Sequence, residues 1–239
     1  MTVAAHPHTG LQTVTWLFDG EIDHRDSLGT AQRVTPGALN LMTAGSGVSH
    51  SERSLAGSDT LHAVQLWIAL PDEVRHMKPI FEHVSTIPSE KFGNIEAHVF
   101  VGSLGAATSP ATVFSPLLGA QISVNGTGSI PLNPHWEYGV LSVGGNLNVN
   151  GEDLPVDALW FSEPGLTSLE ITGRGKAIVL GGEPFTEPIV MWWNFIGRSH
   201  DDIVQMRSDW NLHTYPPIAD RIGGWIPAPE MPNVTLTAR

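Results

Sequence analysis

The stretch His6-Pro7-His8-Thr9-Gly10-Leu11-Gln12-Thr13-Val14-Thr15-Trp16-Leu17-Phe18-Asp19-Gly20 sets the pattern from which the fold is read. A short run carrying imidazoles at i and i+2 stops at a glycine, and a second run, 12–18, rich in Thr, Val and Leu, stops near another. Comparable runs follow at 38–42, 63–70, 96–101, 117–124, 138–143, 147–150, 158–162, 169–172 and 177–180, punctuated by many of the 25 glycines and 18 prolines. Short β-prone runs separated by turn residues at intervals of roughly 8–12 predict an antiparallel all-β sandwich or barrel. Gly144-Gly145 and Asn125-Gly126 each read as a hairpin turn between two such runs. One helix is expected, at 201–211. Ser199 and Asp202 resemble a capping box for it, and Ile203, Met206 and Trp210 recur at helical spacing. The proline-rich segment 222–239 reads as extended chain, a strap over the body or over a partner.

The 239 residues are enough to bury a core without staples, and the absence of cysteine excludes disulfides, thiolate metal sites and a cysteine nucleophile. Twelve Lys and Arg against 24 Asp and Glu give a net charge of −12, so direct binding of a nucleic-acid backbone is not expected. Residues 1–10 have neither a basic n-region nor an apolar h-region, and no run approaches the roughly 20 apolar residues of a membrane span. The expected protein is cytoplasmic and does not engage a membrane. Its 11 histidines, nearly as many as its Lys and Arg together, direct the search for chemistry.

In an extended chain, i and i+2 share one face of a sheet, so His6 and His8 point the same way. Forty-four residues after His6, His50-Ser51-Glu52 repeats the spacing. A lone H-x-H on a strand is more often incidental than ligating; two such pairs on adjacent strands converge three imidazoles and a carboxylate. His6, His8, His50 and Glu52 thus form the expected metal set. It suits one mononuclear first-row metal, iron first, with zinc, manganese, nickel, cobalt and copper as alternatives.

The stretch from His6 to Gly20, then His24-Arg-Asp26-Ser27-Leu-Gly29, then 36–52 with Thr43-Ala44-Gly45-Ser46-Gly47, strongly resembles the pirin family of the cupin superfamily. Leu61-His-Ala-Val-Gln65-Leu66-Trp67-Ile68 and Gly181-Gly182-Glu183-Pro184 also look like pirin motifs. The resemblance implies two tandem cupin β-barrels with iron only in the first, and it carries over the same four ligands. The expected division is 1–107 for the metal-bearing barrel, 108–190 for a metal-free barrel, and 191–239 for the helix and tail. It further implies a quercetin 2,3-dioxygenase-type enzyme taking a flavonol-like aromatic and dioxygen, or else a non-catalytic metal-binding regulator with a protein partner.

Gln12 stands where the cupin pattern has glutamate, and an amide neither accepts a flavonol proton nor ligates like a carboxylate. The first ligand comes at position 6, whereas pirins have strands ahead of it. An open sheet edge is therefore expected unless a partner or the C-terminal segment covers it. His135-Trp136-Glu137 is read as structural or exposed, and His24 with Asp26 as hydrogen-bonded within a turn. Trp192-Trp193-Asn194-Phe195 receives no assignment from the sequence.

Overall fold

The computed structural model describes residues 1–55, 60–219 and 224–238. The chain forms two compact units, one of Met1–Ser85 with Thr186–Arg239, the other of Thr86–Phe185.

In the first unit, β1 (Thr2–His8), β2 (Leu11–Asp19), β3 (Ile22–Asp26), β4 (Ala31–Val34), β5 (Leu39–Thr43), β6 (Val48–Ser54), β7 (His62–Ala69) and β8 (Ile80–Val84) build two four-stranded antiparallel sheets. Their strand orders are β1-β6-β3-β4 and β7-β2-β5-β8. The alternation expected of half-buried strands organises both. Val48, His50 and Glu52 share a face of β6, and Ile22, His24 and Asp26 share a face of β3. Apolar clusters lie at the two ends of this face: Leu17, Ile22 and Val34 at one, Met42, Ala44 and Val48 at the other. The polar residues between them are buried with the core.

In the second unit, β9 (Ser89–Phe92), β10 (Ile95–Leu104), β11 (Ala107–Thr108), β12 (Leu117–Pro131), β13 (Glu137–Val149), β14 (Glu152–Leu154), β15 (Leu159–Ser162) and β16 (Ser168–Gly182) form one antiparallel sheet around a single apolar core. Residues 86–107, grouped with the first half in the sequence-based expectation, hold strands that pair here, β9 with β10 and β10 with β12. Neither expected hairpin turn exists. Asn125-Gly126 lies inside the 15-residue β12, and Gly144-Gly145 inside the 13-residue β13, where a bulge follows Ser142. Gly145 marks a close crossing with β16, where a Cβ would stand 2.2 Å from the Arg174 carbonyl oxygen and 2.5 Å from Gly175 Cα, whereas a Cβ on Gly126 would meet the Asn94 side chain at 2.9 Å.

The chain then returns to the first unit through β17 (Val190–Trp192), β18 (Phe195–Gly197) and α1 (His200–Asn211). Trp192-Trp193-Asn194-Phe195 makes the tight hairpin between β17 and β18, with Trp193 at φ 53°. The helix starts where its cap predicts: Ser199 Oγ accepts from Asp202 N at 3.1 Å, and Ile203, Met206 and Trp210 are buried. The expected strap, apart from its positions 222, 223 and 239, lies within the described residues. Ala5 N donates to Gly224 O and Ile226 N to Ala5 O, while Ile196 N donates to Thr9 O. The tail and the β17–β18 hairpin thus cover the outer edge of β1 at two points. No helix among the described residues is long and apolar enough to cross a membrane.

Two adjacent glycines separate strain from composition. Gly145 has φ +90°, whereas a Cβ on Gly144 meets nothing within 4 Å. Gly145→Ala is expected to cost roughly 1–3 kcal/mol in backbone strain alone, and Gly144→Ala to stay within about 0.5 kcal/mol of the parent. Urea midpoints of the two variants check this.

Candidate metal centre

Pairing registers assemble the site. β6 runs between β1 and β3, so His50 stands opposite His6 on one side and Asp26 on the other. Glu52 stands opposite Val3 and His24. A register shift in β1 between Val3 and His6 sets the phase of the two β1 histidines. Directly opposed residues in an antiparallel pair lie close enough for their side chains to touch. Three i, i+2 pairs (His6/His8, His50/Glu52 and His24/Asp26) therefore converge on the inner face of one sheet.

The imidazoles of His6, His8 and His50 have centroids 4.3–5.1 Å apart, and one nitrogen from each lies within 4.8 Å of the others. His6 Nδ1 donates to the Ala4 carbonyl at 2.9 Å, which leaves its Nε2 free. His8 Nε2 and His50 Nε2 face each other at 3.0 Å. Two ligands at right angles and about 2.1 Å from one ion lie about 3.0 Å apart, so this spacing fits adjacent positions on a metal. The facing sheet closes the site. Trp67 meets the His8 ring edge-on with centroids 5.3 Å apart, and Phe81 stacks on His24 at 4.9 Å. The backbone of Asn194, in the β17–β18 turn, lies beside the His8 ring.

The charge states favour ligation. Burial pulls the pKa of His6 down, with smaller opposing effects from the Ala4 hydrogen bond and Glu52. Burial also holds His8 and His50 well below the ordinary 6.5, and the neighbouring imidazoles add to it. Neutral imidazole is the form that binds a metal. His24 moves the other way. Burial opposes its charge, but hydrogen bonds to Asp26 and Glu52 outweigh that and raise its pKa.

Glu52 joins a second group. Its Oε1 is 3.6 Å from His24 Nδ1 and 3.7 Å from His50 Nδ1, and both its oxygens take long contacts from Gln65 Nε2. His24 is on strand β3, not in a turn, and is only 2 % exposed. The signal that could have found it was the i, i+2 spacing of His24 and Asp26, matching that of the expected ligands. Gln12 is elsewhere. It donates to Thr43 Oγ1 at 2.8 Å and alternates with Thr13 and Thr15, whose β7 partners Trp67 and Gln65 face the cluster. His135 is exposed, and neither His135 nor Glu137 belongs to a potential metal group among the described residues.

A cavity of about 360 Å³ opens beside the cluster. His6, Glu52, Gln65 and Thr15 supply its polar lining, and Val3, Ile22, Leu61 and Ala63 contribute apolar wall. Its size suits a small organic ligand.

The family profile described as Pirin matches residues 1–68, and the Pirin C-terminal cupin domain profile matches 117–216. The chain belongs to the pirin family. It is 41 % identical over 214 residues, 88 % of this chain and 68 % of the other, to a Pseudomonas aeruginosa protein named as a candidate quercetin 2,3-dioxygenase. A pirin-like protein of Caulobacter vibrioides is 34 % identical over 238 residues, covering 95 % of this chain and 82 % of that one. Among solved structures, quercetin 2,3-dioxygenase from Acinetobacter baumannii superposes with a TM-score of 0.95 at 40 % identity, covering all of this chain and 81 % of that one. The two tandem cupin domains expected of a pirin are thus present.

The depressed histidines give this pirin a pH signature without metal. Each is neutral when folded and takes up a proton when unfolded below 6.5, so stability falls as pH falls through that range. His24, with its raised pKa, is charged in both states there and adds no slope. In chelator, the unfolding free energy is expected to drop below pH 6.5 more steeply than the about 1.4 kcal/mol per pH unit of a single group. Urea titrations at stepped pH measure the slope; a flat profile would mean that the folded cluster accepts the protons.

Proposed function

We propose that this pirin is a metal-dependent ring-cleaving dioxygenase of the quercetin 2,3-dioxygenase type, acting on a flavonol-like aromatic. The metal would be held by His6, His8, His50 and Glu52, with iron the first choice of ion. The observation that carries this reading is the juxtaposition of three converging neutral imidazoles with a part-apolar cavity that reaches His6 and Glu52. The names of the Pseudomonas and Acinetobacter relatives support the substrate class.

A divalent metal held there would supply Lewis-acid polarisation of the flavonol and the capacity to activate dioxygen. The chain's own residues do the rest. The apolar wall of Val3, Ile22, Leu61 and Ala63 takes a flat ring system out of water. Glu52 is the single carboxylate in the cavity lining among the described residues, so accepting the 3-hydroxyl proton falls to it as well as ligation. Gln65 Nε2, within 3.3–3.4 Å of both Glu52 oxygens and 3.4 Å from Thr15 Oγ1, orients that carboxylate from the facing sheet.

Anaerobic reconstitution with ferrous iron is expected to load one equivalent, and His50→Ala to reduce bound iron to background. Admitting oxygen with quercetin should then bleach the flavonol band and release carbon monoxide. Bound iron without turnover on several flavonols and several metals would overturn the enzymatic reading. A second reading then stands, a metal-binding regulator with a protein partner. It is favoured by one observation: Glu52 is the single carboxylate lining the cavity among the described residues, so a ligating Glu52 leaves the cavity without a separate base.

A further inference from the structure

We propose that β15, at the open edge of the second unit's sheet, is a docking strand for an extended segment of another protein, one in which two apolar residues at alternate positions are bracketed by Lys or Arg. The surface lies wholly within Thr86–Phe185, so the inference stands whether or not the imidazole cluster of the other unit holds a metal.

β15 pairs with β13 and, among the described residues, with no other strand. It is entered through a bulge: Asp157, at φ 64°, donates its N–H to Ser142 O at 2.9 Å, and Ser142 N donates to Ala158 O at 3.1 Å. Bonded and non-bonded pairs alternate along an antiparallel ladder. With Ala158 bonded to Ser142, the bonded positions that follow are Trp160 and Ser162, opposite Val140 and Tyr138. The N–H and C=O groups of Leu159 and Phe161 therefore point away from β13, along the open edge. Side chains alternate in the same register. Ala158 and Trp160 pack against the core, whereas Leu159 is 62 % exposed and Phe161 57 %. An edge that combines free backbone groups with open apolar side chains is a template for another strand.

Charge decides which strand. Along Asp157-Ala158-Leu159-Trp160-Phe161-Ser162-Glu163 every second residue reads acid, apolar, apolar, acid, and all four are exposed. Neither acid forms an ion pair among the described residues. Farther along the same edge β14 adds the exposed Glu152 and Asp153. A second copy of this chain does not fit. Antiparallel pairing that sets each Leu159 against a Phe161 sets each Asp157 against a Glu163, and like charges directly opposite destabilise a strand pair. The net charge of −12 adds to that repulsion. A strand reading basic, apolar, apolar, basic at every second position meets both acids in the same register, and its own backbone completes the ladder.

The test uses the full chain and a synthetic peptide in which two valines alternate with threonines and a lysine stands two places outside each valine. Amide spectra of the nitrogen-15-labelled protein are expected to show saturable shifts centred on 157–163. Shifts confined to other residues would overturn the proposal, as would no shift at about 1 mM peptide. Fluorescence anisotropy of the labelled peptide gives affinities. Asp157→Asn combined with Glu163→Gln should weaken binding roughly 2–30-fold, the worth of two exposed ion pairs, and added salt should shrink the difference. Equal affinity for wild type and this double variant would overturn the proposal. Both side chains are exposed, and a melting curve verifies that the variant folds; if it does not, the peptide arms still decide. A peptide with glutamate for both lysines should bind more weakly than the parent peptide. One with both valines N-methylated, which removes backbone donors and keeps side chains and charge, should lose binding. Undiminished binding of either peptide would overturn the proposal. Sedimentation of the protein alone supplies the remaining arm: a dimer dissolved by Phe161→Lys would give the edge to a second copy and equally overturn it.

Discussion

Antiparallel pairing of β6 with β1 on one side and β3 on the other puts His50 between His6 and Asp26, and Glu52 opposite His24. Six groups that prefer water are thereby buried on one face of a four-stranded sheet. Burial of polar groups is tolerated where they satisfy one another. Here the cluster does so partly by giving up charge on the His6, His8 and His50 side and partly by ion pairing around His24. The apolar clusters at either end of the face keep the arrangement dry enough for these preferences to hold. A one-residue slip of β6 would turn His50 and Glu52 to the opposite face and leave their partners buried without them.

Much of this was legible in the sequence because strand periodicity is a local property. The spacing His6/His8 and His50/Glu52 fixes a shared face wherever the chain is extended, and short runs between glycines make it extended. His24 carried the same spacing with Asp26, yet its role depends on register with a strand nearly thirty residues away, which no local pattern encodes. The place of Gln12 followed a similar logic. Its motif position relates it to the ligands in sequence, but the alternation of β2 turns it toward Thr43 and away from the face of Thr13 and Thr15.

The glycine pairs misled for a different reason. In a hairpin, glycine permits the backbone to reverse; here it lets long strands continue, Gly145 of β13 where β16 comes unusually near and Gly126 of β12 where the Asn94 side chain does. Both uses need a missing Cβ, so composition alone does not separate them. The helix, by contrast, carried its own start signal in Ser199 and its own buried stripe, and both were realised.

The seal on β1 has a consequence for how the protein is made. β1 holds two of the three converging imidazoles and is the outermost strand of its sheet, closed at Ala5 by Gly224 and Ile226 and at Thr9 by Ile196. During synthesis β1 must therefore wait for residues 196–226, made after the whole of the second unit, before its edge is covered. Until then it offers unpaired backbone groups to any neighbouring chain. Co-translational folding can build the second unit outright, while the first remains an interrupted structure whose ligand-bearing edge closes only when the segment that follows the second unit arrives.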